Sequence, residues 1–249
     1  MAKLKRQIFD RVPQSWRDLQ DCVAQVFSEI GCQVEIGAKV DLPRGCVELD
    51  VFVQDITVVP HANYICECKN WGRRVPKSVV HSFRTVVSEL GAHRGFLISR
   101  SGFQSGAFDA AKFTNIDLLS WRQFEELIFD RWIDGITQQL DPQFVLGYEL
   151  MDPANEKLWK LRECTEESYN EWFSMCTRYP LITLWALFQW HSHAGLEAIP
   201  SIHLTDQGVL SDNGNETILD TYRKVVDAAP QICRSARQEL ERFWGLSSK

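Results

Sequence analysis

No apolar run in this sequence approaches the length of a membrane span. The longest, LITLWALFQW from Leu181 to Trp190, covers ten residues, half of the roughly 20 that a bilayer-crossing helix needs. Basic charge is also in short supply. Lys and Arg number 27 against 33 Asp and Glu; the net of −6 excludes a generally basic nucleic-acid coat but leaves room for a local patch. The first residues, MAKLKRQIFDRVPQSW, are basic but lack the apolar core of a secretory signal. Eight cysteines at irregular spacing, with no export signal, read as reduced thiols of a cytoplasmic protein. Zinc-ligand spacing is missing too. Cys66-x-Cys68 is too tight for the usual pair, and His191-x-His193 has no second pair at a recognisable distance. There is no internal repeat and no low-complexity tract.

What is present is an ordinary globular composition, 45% hydrophobic and 24% charged. At 249 residues the chain suits one large domain or two small ones. Trp16, Leu19, Val23, Val26, Phe27 and Ile30 recur at helical spacing, so a helix is expected from about Ser15 to Ile30, ended by Gly31. Three strands follow, in CQVEIG, CVELDVFV and NYICECK. In the second, Val47, Leu49, Val51 and Val53 are expected on one face, against Glu48, Asp50 and Phe52 on the other. KSVVHSFRTVVSEL predicts a helix closed by Gly91, GFLIS a buried strand, QSGAFDAAKF a short helix and IDLLS another buried strand. WRQFEELIFDRW then makes a helix that completes the pattern near residue 134. The first strands can form a meander, and the later ones need crossovers. The expected fold class is therefore α/β, a mixed central sheet flanked by helices.

From about Gly135 the character changes. Residues 1–134 hold 17 Lys and Arg and 17 Asp and Glu, so the region 135–249, with 10 and 16, carries the whole −6. It is rich in large apolar side chains, and the expectation is a first domain over 1–134 and a mainly helical, acidic, aromatic-rich region over 135–249. Like charge makes that region a poor phosphate binder, and its aromatics suit burial on the first domain, a second copy or a partner subunit. Trp159, Trp172, Trp185 and Trp190 are expected in core or interface. SDNGNET reads as a turn, and a final helical pattern from Leu219 to Trp244 should kink or split at Pro230.

The stretch YICECKNW places Glu67 and Lys69 two apart inside an apolar run. In a strand they share a face, with Tyr64, Cys66 and Cys68 on the other. An acid and an amine projected together are either a structural ion pair or a working site. Asp50, on the polar side of the neighbouring strand, can join them. Two carboxylates and a lysine suit magnesium-assisted phosphodiester cleavage. Carboxylate oxygens take a hard cation that lowers the pKa of a water, and the ammonium offsets charge growing on phosphorus.

Asp50 followed by Glu67-Cys68-Lys69 resembles the PD-(D/E)xK nuclease superfamily, and the run through GAHRGFLISRSGFQSGAFDAAKFTNIDLLSW resembles its Mrr-like restriction endonuclease domains over about residues 10–134. The resemblance implies a restriction-endonuclease-like core and an Mg2+- or Mn2+-dependent DNA endonuclease. Asp50, Glu67 and the backbone carbonyl of Cys68 would hold the ion, and Lys69 would position or activate water. The setting it implies is bacterial restriction or anti-phage defence, with DNA and a partner defence subunit or second copy as partners, and no membrane. Two positions depart from the family. VEL precedes Asp50, where Glu48 could add a carboxylate, and the acid usual on the first helix falls at Gln20, with Asp18 and Asp21 nearby. A glutamine brings hydrogen bonds but no charge. A non-catalytic DNA-binding or assembly module on the same fold, and a junction-type structure-specific nuclease, therefore remain open.

Arg73, Arg74, Lys77, Arg84, Arg94 and Arg100 flank the active-site strands and are candidates for phosphate contacts, or else a solvated face. Trp71 could stack on a base or pack under a helix. Ser99 and Ser101 read as helix caps, and Cys66 and Cys68 as core thiols.

Overall fold

The computed structural model describes residues 7–43, 45–179, 181–182, 202–204 and 217–246. The turn expected in SDNGNET, the pair His191 and His193, Trp185 and Trp190 lie outside these residues, as does all of LITLWALFQW beyond Ile182. The chain divides into two compact units, Phe9–Gly135 and a second made of Met1–Ile8 with Ile136–Lys249.

In the first unit the elements follow the expected order. They are α1 (Trp16–Ile30), β1 (Gln33–Leu42), β2 (Gly45–Asp55), β3 (Ala62–Lys69), α2 (Lys77–Glu89), β4 (Arg94–Ser99), α3 (Ser105–Ala111), β5 (Ile116–Ser120) and the start of α4 (Trp121–Met151). The five strands lie in sequence order, antiparallel from β1 to β3 and parallel from β3 to β5. This is a mixed sheet, built as a meander followed by two helical crossovers. Alternation along β3 sets its two faces. Tyr64 and Phe96 meet Phe27 of α1 on one side, where Phe124 of α4 also joins the ring cluster. On the other, Ile65 and Leu97 pack with Val80, Phe83 and Val87 of α2 and Ala107 of α3. Each such fully buried apolar side chain contributes about 1.5–3 kcal/mol.

The simple alternation expected for β2 fails at its centre. Val47, Leu49 and Phe52 all pack in the cluster under α2, whereas Val51 and Val53 are buried outside it. The cause lies across the hairpin. The β1–β2 ladder runs from Gln33–Gln54 to Leu42–Gly45, but the pair Gly37–Asp50 is missing from it, and Gly37 has a left-handed backbone, φ 69°. A glycine of this kind inside a strand bends the sheet. The hairpin therefore turns at the position that carries Asp50.

The long helix also departs from expectation. It does not end near residue 134 but continues to Met151, through Gly135 and Pro142. Gly135 is a packing residue rather than a stop. A Cβ there would lie 2.6 Å from the Ile30 Cα and 2.8 Å from the Ile30 carbonyl oxygen, so α4 crosses the end of α1 backbone against backbone. Trp132 Nε1 donates to Glu29 nearby, at 2.6 Å. These contacts fix how α1 lies on the sheet.

The second unit contains α5 (Glu156–Trp159), α6 (Glu166–Arg178), a small antiparallel pair β6 (Ile202–Leu204) and β7 (Thr217–Leu219), and α7 (Tyr222–Phe243). Several of its described aromatics pack on one another. The Trp159 ring stands 4.7 Å from Trp244 and 5.9 Å from Trp172, and the indole N–H groups of Trp172 and Trp244 both donate to the Leu150 carbonyl. α7 begins later than expected because Thr217–Leu219 pairs with β6 and Thr221 caps the helix. Pro230 does not split it, since the apolar face is buried on both sides, by Val225, Val226 and Ala229 before it and Ile232, Ala236 and Leu240 after it. None of the described helices is long and apolar enough to cross a membrane.

The crossing at Gly135 gives a direct test. Gly135→Ala should lower the unfolding free energy by about 1–3 kcal/mol, because the methyl group meets backbone that has no rotamer to change. Chemical denaturation of the two proteins measures it, and a variant as stable as the parent would show that α1 and α4 do not approach this closely.

Candidate active site

The hydrogen-bonded pairing of β2 with β3 runs from Asp55–Ala62 to Val51–Cys66 and stops there. Beyond it the strands part, while β3 stays paired with β4 as far as Lys69–Ser99. One edge of β3 is thus left without a partner strand at Cys68. Asp50 fills the gap. Its Oδ2 accepts the Cys68 backbone N–H at 2.6 Å. Because a strand residue presents its N–H and C=O to the same side, the Cys68 carbonyl also faces this fork.

Gln20 on α1 reaches the same carboxylate. Its Nε2 donates to Asp50 Oδ1 at 3.0 Å and approaches the Asp50 carbonyl oxygen at 3.5 Å, and the residue is buried. Trp16, one turn earlier, brings its indole N–H to 3.5 Å from Asp50 Oδ2. Helical spacing marked Trp16 for the core, yet it is 45% exposed. A tryptophan at the very start of a helix, opposite a candidate acid, was the available signal. Asp18 turns elsewhere. The Arg11 guanidinium and the Gln14 backbone N–H hold its carboxyl down at about 2. Nothing in the structure turns Asp21 towards Asp50.

Glu67 and Lys69 form an ion pair with each other. Both line a cavity of about 410 Å³ between the hairpin end of β2 and α2, together with Glu48, Leu49, Trp71 and Phe83. Burial pushes the Glu67 carboxyl above the usual range, and the Asp50 charge pushes it further, against the opposing pull of Lys69. Asp50 and Glu67 are therefore within electrostatic reach of one another. Glu48 is exposed at the cavity rim. Trp71 packs in part beneath α2 and carries two cations, Lys69 Nζ at 5.6 Å and the Arg73 guanidinium at 5.7 Å from its ring. Cys66 and Cys68 are fully buried, and burial raises both thiols well above their usual value, so neither is ionised at neutral pH.

The candidate phosphate contacts separate into two groups. Arg73, Arg74, Lys77 and Arg84 are exposed on the loop after β3 and on α2, and Arg100 follows β4 with its backbone N–H on the Lys69 carbonyl. Arg94 is at the other end of the sheet. It lies opposite Tyr64, five residues or about 16 Å from the Lys69–Ser99 pair, and its Nε and Nη2 both donate to Asp117. Ser99 and Ser101 are not helix caps; their hydroxyls donate to the carbonyls of Gly102 and Trp71 and tie down the loop before α3. Sequence reasoning missed Asp55, wholly buried at the far end of β2. Burial alone would raise its carboxyl, but hydrogen bonds from Thr57, Arg131 and Tyr64 outweigh that and hold it at about 2. This is a buttress, not part of the fork.

Comparison with known proteins gives a family match for part of the chain. Residues 13–128 match the Mrr_cat family, described as restriction endonuclease. No curated protein matches the chain. A crystal structure of a protein of unknown function, AF1548, is similar at 14% identity with a TM-score of 0.40, covering 94% of this chain and 100% of that one. The matched segment spans α1 to the first turns of α4 and includes Gln20, Asp50, Glu67 and Lys69. The match to a restriction endonuclease model, over a little under half of the chain, is in line with the resemblance of residues 13–128 to Mrr-like nucleases of PD-(D/E)xK type.

Proposed function

We propose that the unit Phe9–Gly135 hydrolyses phosphodiester bonds of DNA with a divalent cation, Mg2+ or Mn2+. The observation that carries this is the Asp50 carboxylate inside the strand fork, within electrostatic reach of the Glu67–Lys69 pair. The donor set fits a hard cation: two carboxylates and the Cys68 carbonyl facing the same gap. When bound, the ion supplies Lewis-acid polarisation of the phosphate and a water of lowered pKa. The chain's own part is positional and electrostatic. Gln20 and the Cys68 N–H hold Asp50 in one orientation, and Glu67 holds the Lys69 ammonium at the cavity wall. Lys69 orients the attacking water and offsets negative charge that grows on the phosphate oxygens. Arg73, Arg74, Lys77, Arg84 and Arg100 supply contacts along the nucleic-acid backbone. Residues 135–249, which carry the chain's net negative charge, serve packing or assembly with a second copy or partner subunit. The biological setting is restriction or anti-phage defence.

A second reading, a DNA-binding module without catalysis, draws on one observation. Both Asp50 oxygens already accept hydrogen bonds, and the helix supplies an amide where an acid would add charge.

Plasmid nicking with and without Mg2+ separates the two. Asp50→Ala, Glu67→Ala and Lys69→Ala should each cut at least about 100-fold more slowly, as when one transition-state contact is lost, with circular dichroism unchanged. Cutting at the parent rate by Lys69→Ala would remove the mechanism, and a parent that binds DNA but never cuts would favour the module.

The glutamine makes a second prediction. Gln20→Glu adds a third negative charge beside Asp50 and Glu67, so the variant should melt lower without metal and bind Mn2+ more tightly than the parent by calorimetry. Equal affinity would place Gln20 outside the ion's reach.

A third follows from Glu67. Its proton competes with the cation, and its carboxyl sits above the ordinary value of 4.5. Metal affinity should be full where Glu67 is ionised and fall as pH drops through that raised value, starting at higher pH than an unperturbed glutamate allows. Mn2+ titrations across pH 4.5–7.5 read this, and a flat profile down to pH 4.5 would exclude Glu67 as a ligand.

A further inference from the structure

The cavity of about 410 Å³ beside Glu67 and Lys69 has walls that phosphate chemistry does not explain. Val79, Ser82 and Val86 lie three and four apart on α2 and turn one face of that helix towards it, and Val47 lines it from β2. Trp71, from the loop after β3, closes a further side. Val47, Trp71, Val79 and Val86 pack only in part against the core under α2, so apolar surface stays accessible next to the charged pair. Trp71 is a fixed wall. Its carbonyl accepts the Ser101 hydroxyl at 2.6 Å, and Lys69 Nζ and the Arg73 guanidinium lie 5.6 and 5.7 Å from its ring.

The polar groups of the cavity select against a second phosphate. Glu67 already has Lys69, and among the described residues nothing donates to the Glu48 carboxylate, exposed at the rim. The cavity thus holds two acids against one cation, and like charge keeps a phosphate out of it. A carboxylate only accepts hydrogen bonds, so its partner must bring N–H groups. A nucleobase meets each requirement, being flat, uncharged, apolar on its faces and supplied with N–H donors on its edge. A cavity of this volume takes a ligand of small-molecule size, so one base fits and a stacked pair in a duplex does not.

We propose that this cavity receives an unpaired nucleobase of the substrate strand, stacked on Trp71 with its edge towards Glu48. The inference rests on the nuclease reading for its ligand. A strand whose scissile phosphate lies at the fork brings an attached base to the cavity that Glu67 and Lys69 line. That base is either drawn out of a paired duplex by the protein or already unpaired at a mismatch, bulge or junction. The cost of unstacking is least in the second case.

The test uses the full chain, with Ca2+ in place of Mg2+ so that binding is read without cleavage. Three duplexes of one sequence are compared: fully paired, with one central mismatch, and with an abasic residue at that place. The mismatched duplex should bind about tenfold tighter than the paired one, because its base is already free to leave the stack. The abasic duplex bends as easily but offers no base, so it should bind more weakly than the mismatched one. Trp71→Ala should remove about tenfold of affinity for the mismatched duplex, the loss of one stacked base. Ser82→Trp, which fills the cavity from an exposed position on α2, should abolish the gain. Permanganate, which oxidises thymines that have left the stack, tells the two sources apart. New reactivity in the paired duplex on binding identifies a base drawn out by the protein; none there, with the mismatch still favoured, identifies one already unpaired. If a parent that cuts DNA binds all three duplexes equally, or the abasic one as tightly as the mismatched, the pocket is wrong and the nuclease reading stands. A parent that shows the gain but never cuts with Mg2+ supports the pocket and removes the catalysis. Binding to none of the duplexes overturns both. Should Trp71→Ala fail to fold, Ser82→Trp still decides the outcome.

Discussion

A backbone edge that has lost its partner strand governs the rest of the site. β2 and β3 separate after Val51–Cys66, and the Cys68 N–H is left facing a gap. A buried backbone donor without an acceptor costs about 1–3 kcal/mol, so something must fill the gap. Asp50 does, and by doing so it is held between the strands rather than on either face of the sheet. The bend at Gly37 makes this possible, since it removes Asp50 from the β1 ladder and turns the rest of the hairpin over α2. One irregularity thus opens the fork, aims the carboxylate and builds a wall of the neighbouring cavity.

Charge at the fork is balanced locally but incompletely. Asp50 is stabilised by neutral donors, the Gln20 amide and a backbone N–H, while Glu67 has the Lys69 ammonium. Burial, and after it repulsion from Asp50, keeps the Glu67 carboxyl high despite its lysine. The contrast with Asp55 is instructive. That residue is more deeply buried, yet three donors satisfy it and its carboxyl is held low. The same residue type on one strand is fully enclosed by its donors at one end and lies in the open fork at the other.

The remote packing serves this geometry. Gln20 meets Asp50 only if α1 lies at one height and rotation on the sheet, and these are fixed where Gly135 lets α4 touch the backbone at Ile30. Among its described residues, the second unit has no such arrangement of ionisable groups. Its described part is organised around Trp159 edge-to-face with Trp172 and Trp244, the latter two sharing a carbonyl acceptor at Leu150.

Much was legible in the sequence because it depends on local periodicity. The spacing of Leu19, Val23 and Phe27 specifies a helix, and the pattern YICECK specifies a strand with Glu67 and Lys69 on one side. The alternation of helices with short buried strands requires a crossover sheet, since parallel neighbours cannot be joined by a turn. Resemblance added the pairing of Asp50 with Glu67-Cys68-Lys69. What periodicity could not give was the break in it. The two-residue alternation of β2 fails at Asp50 because Gly37, across the hairpin, adopts a left-handed backbone, and a strand cannot announce its partner's conformation. The helix that completes the pattern near residue 134 runs on for the same reason, as the contact that needs Gly135 is with Ile30, more than a hundred positions away. Arg94, at the start of β4, and Arg100, just past its end, looked equivalent until the parallel register put them at opposite ends of the sheet, one locked to Asp117 and the other beside Lys69. The sequence by itself determined which segments are helices and strands and which residues bring chemistry, because those follow from each segment's own side chains. Only the tertiary structure decided where the sheet opens and which charges meet there, because those depend on contacts between residues that the chain keeps far apart.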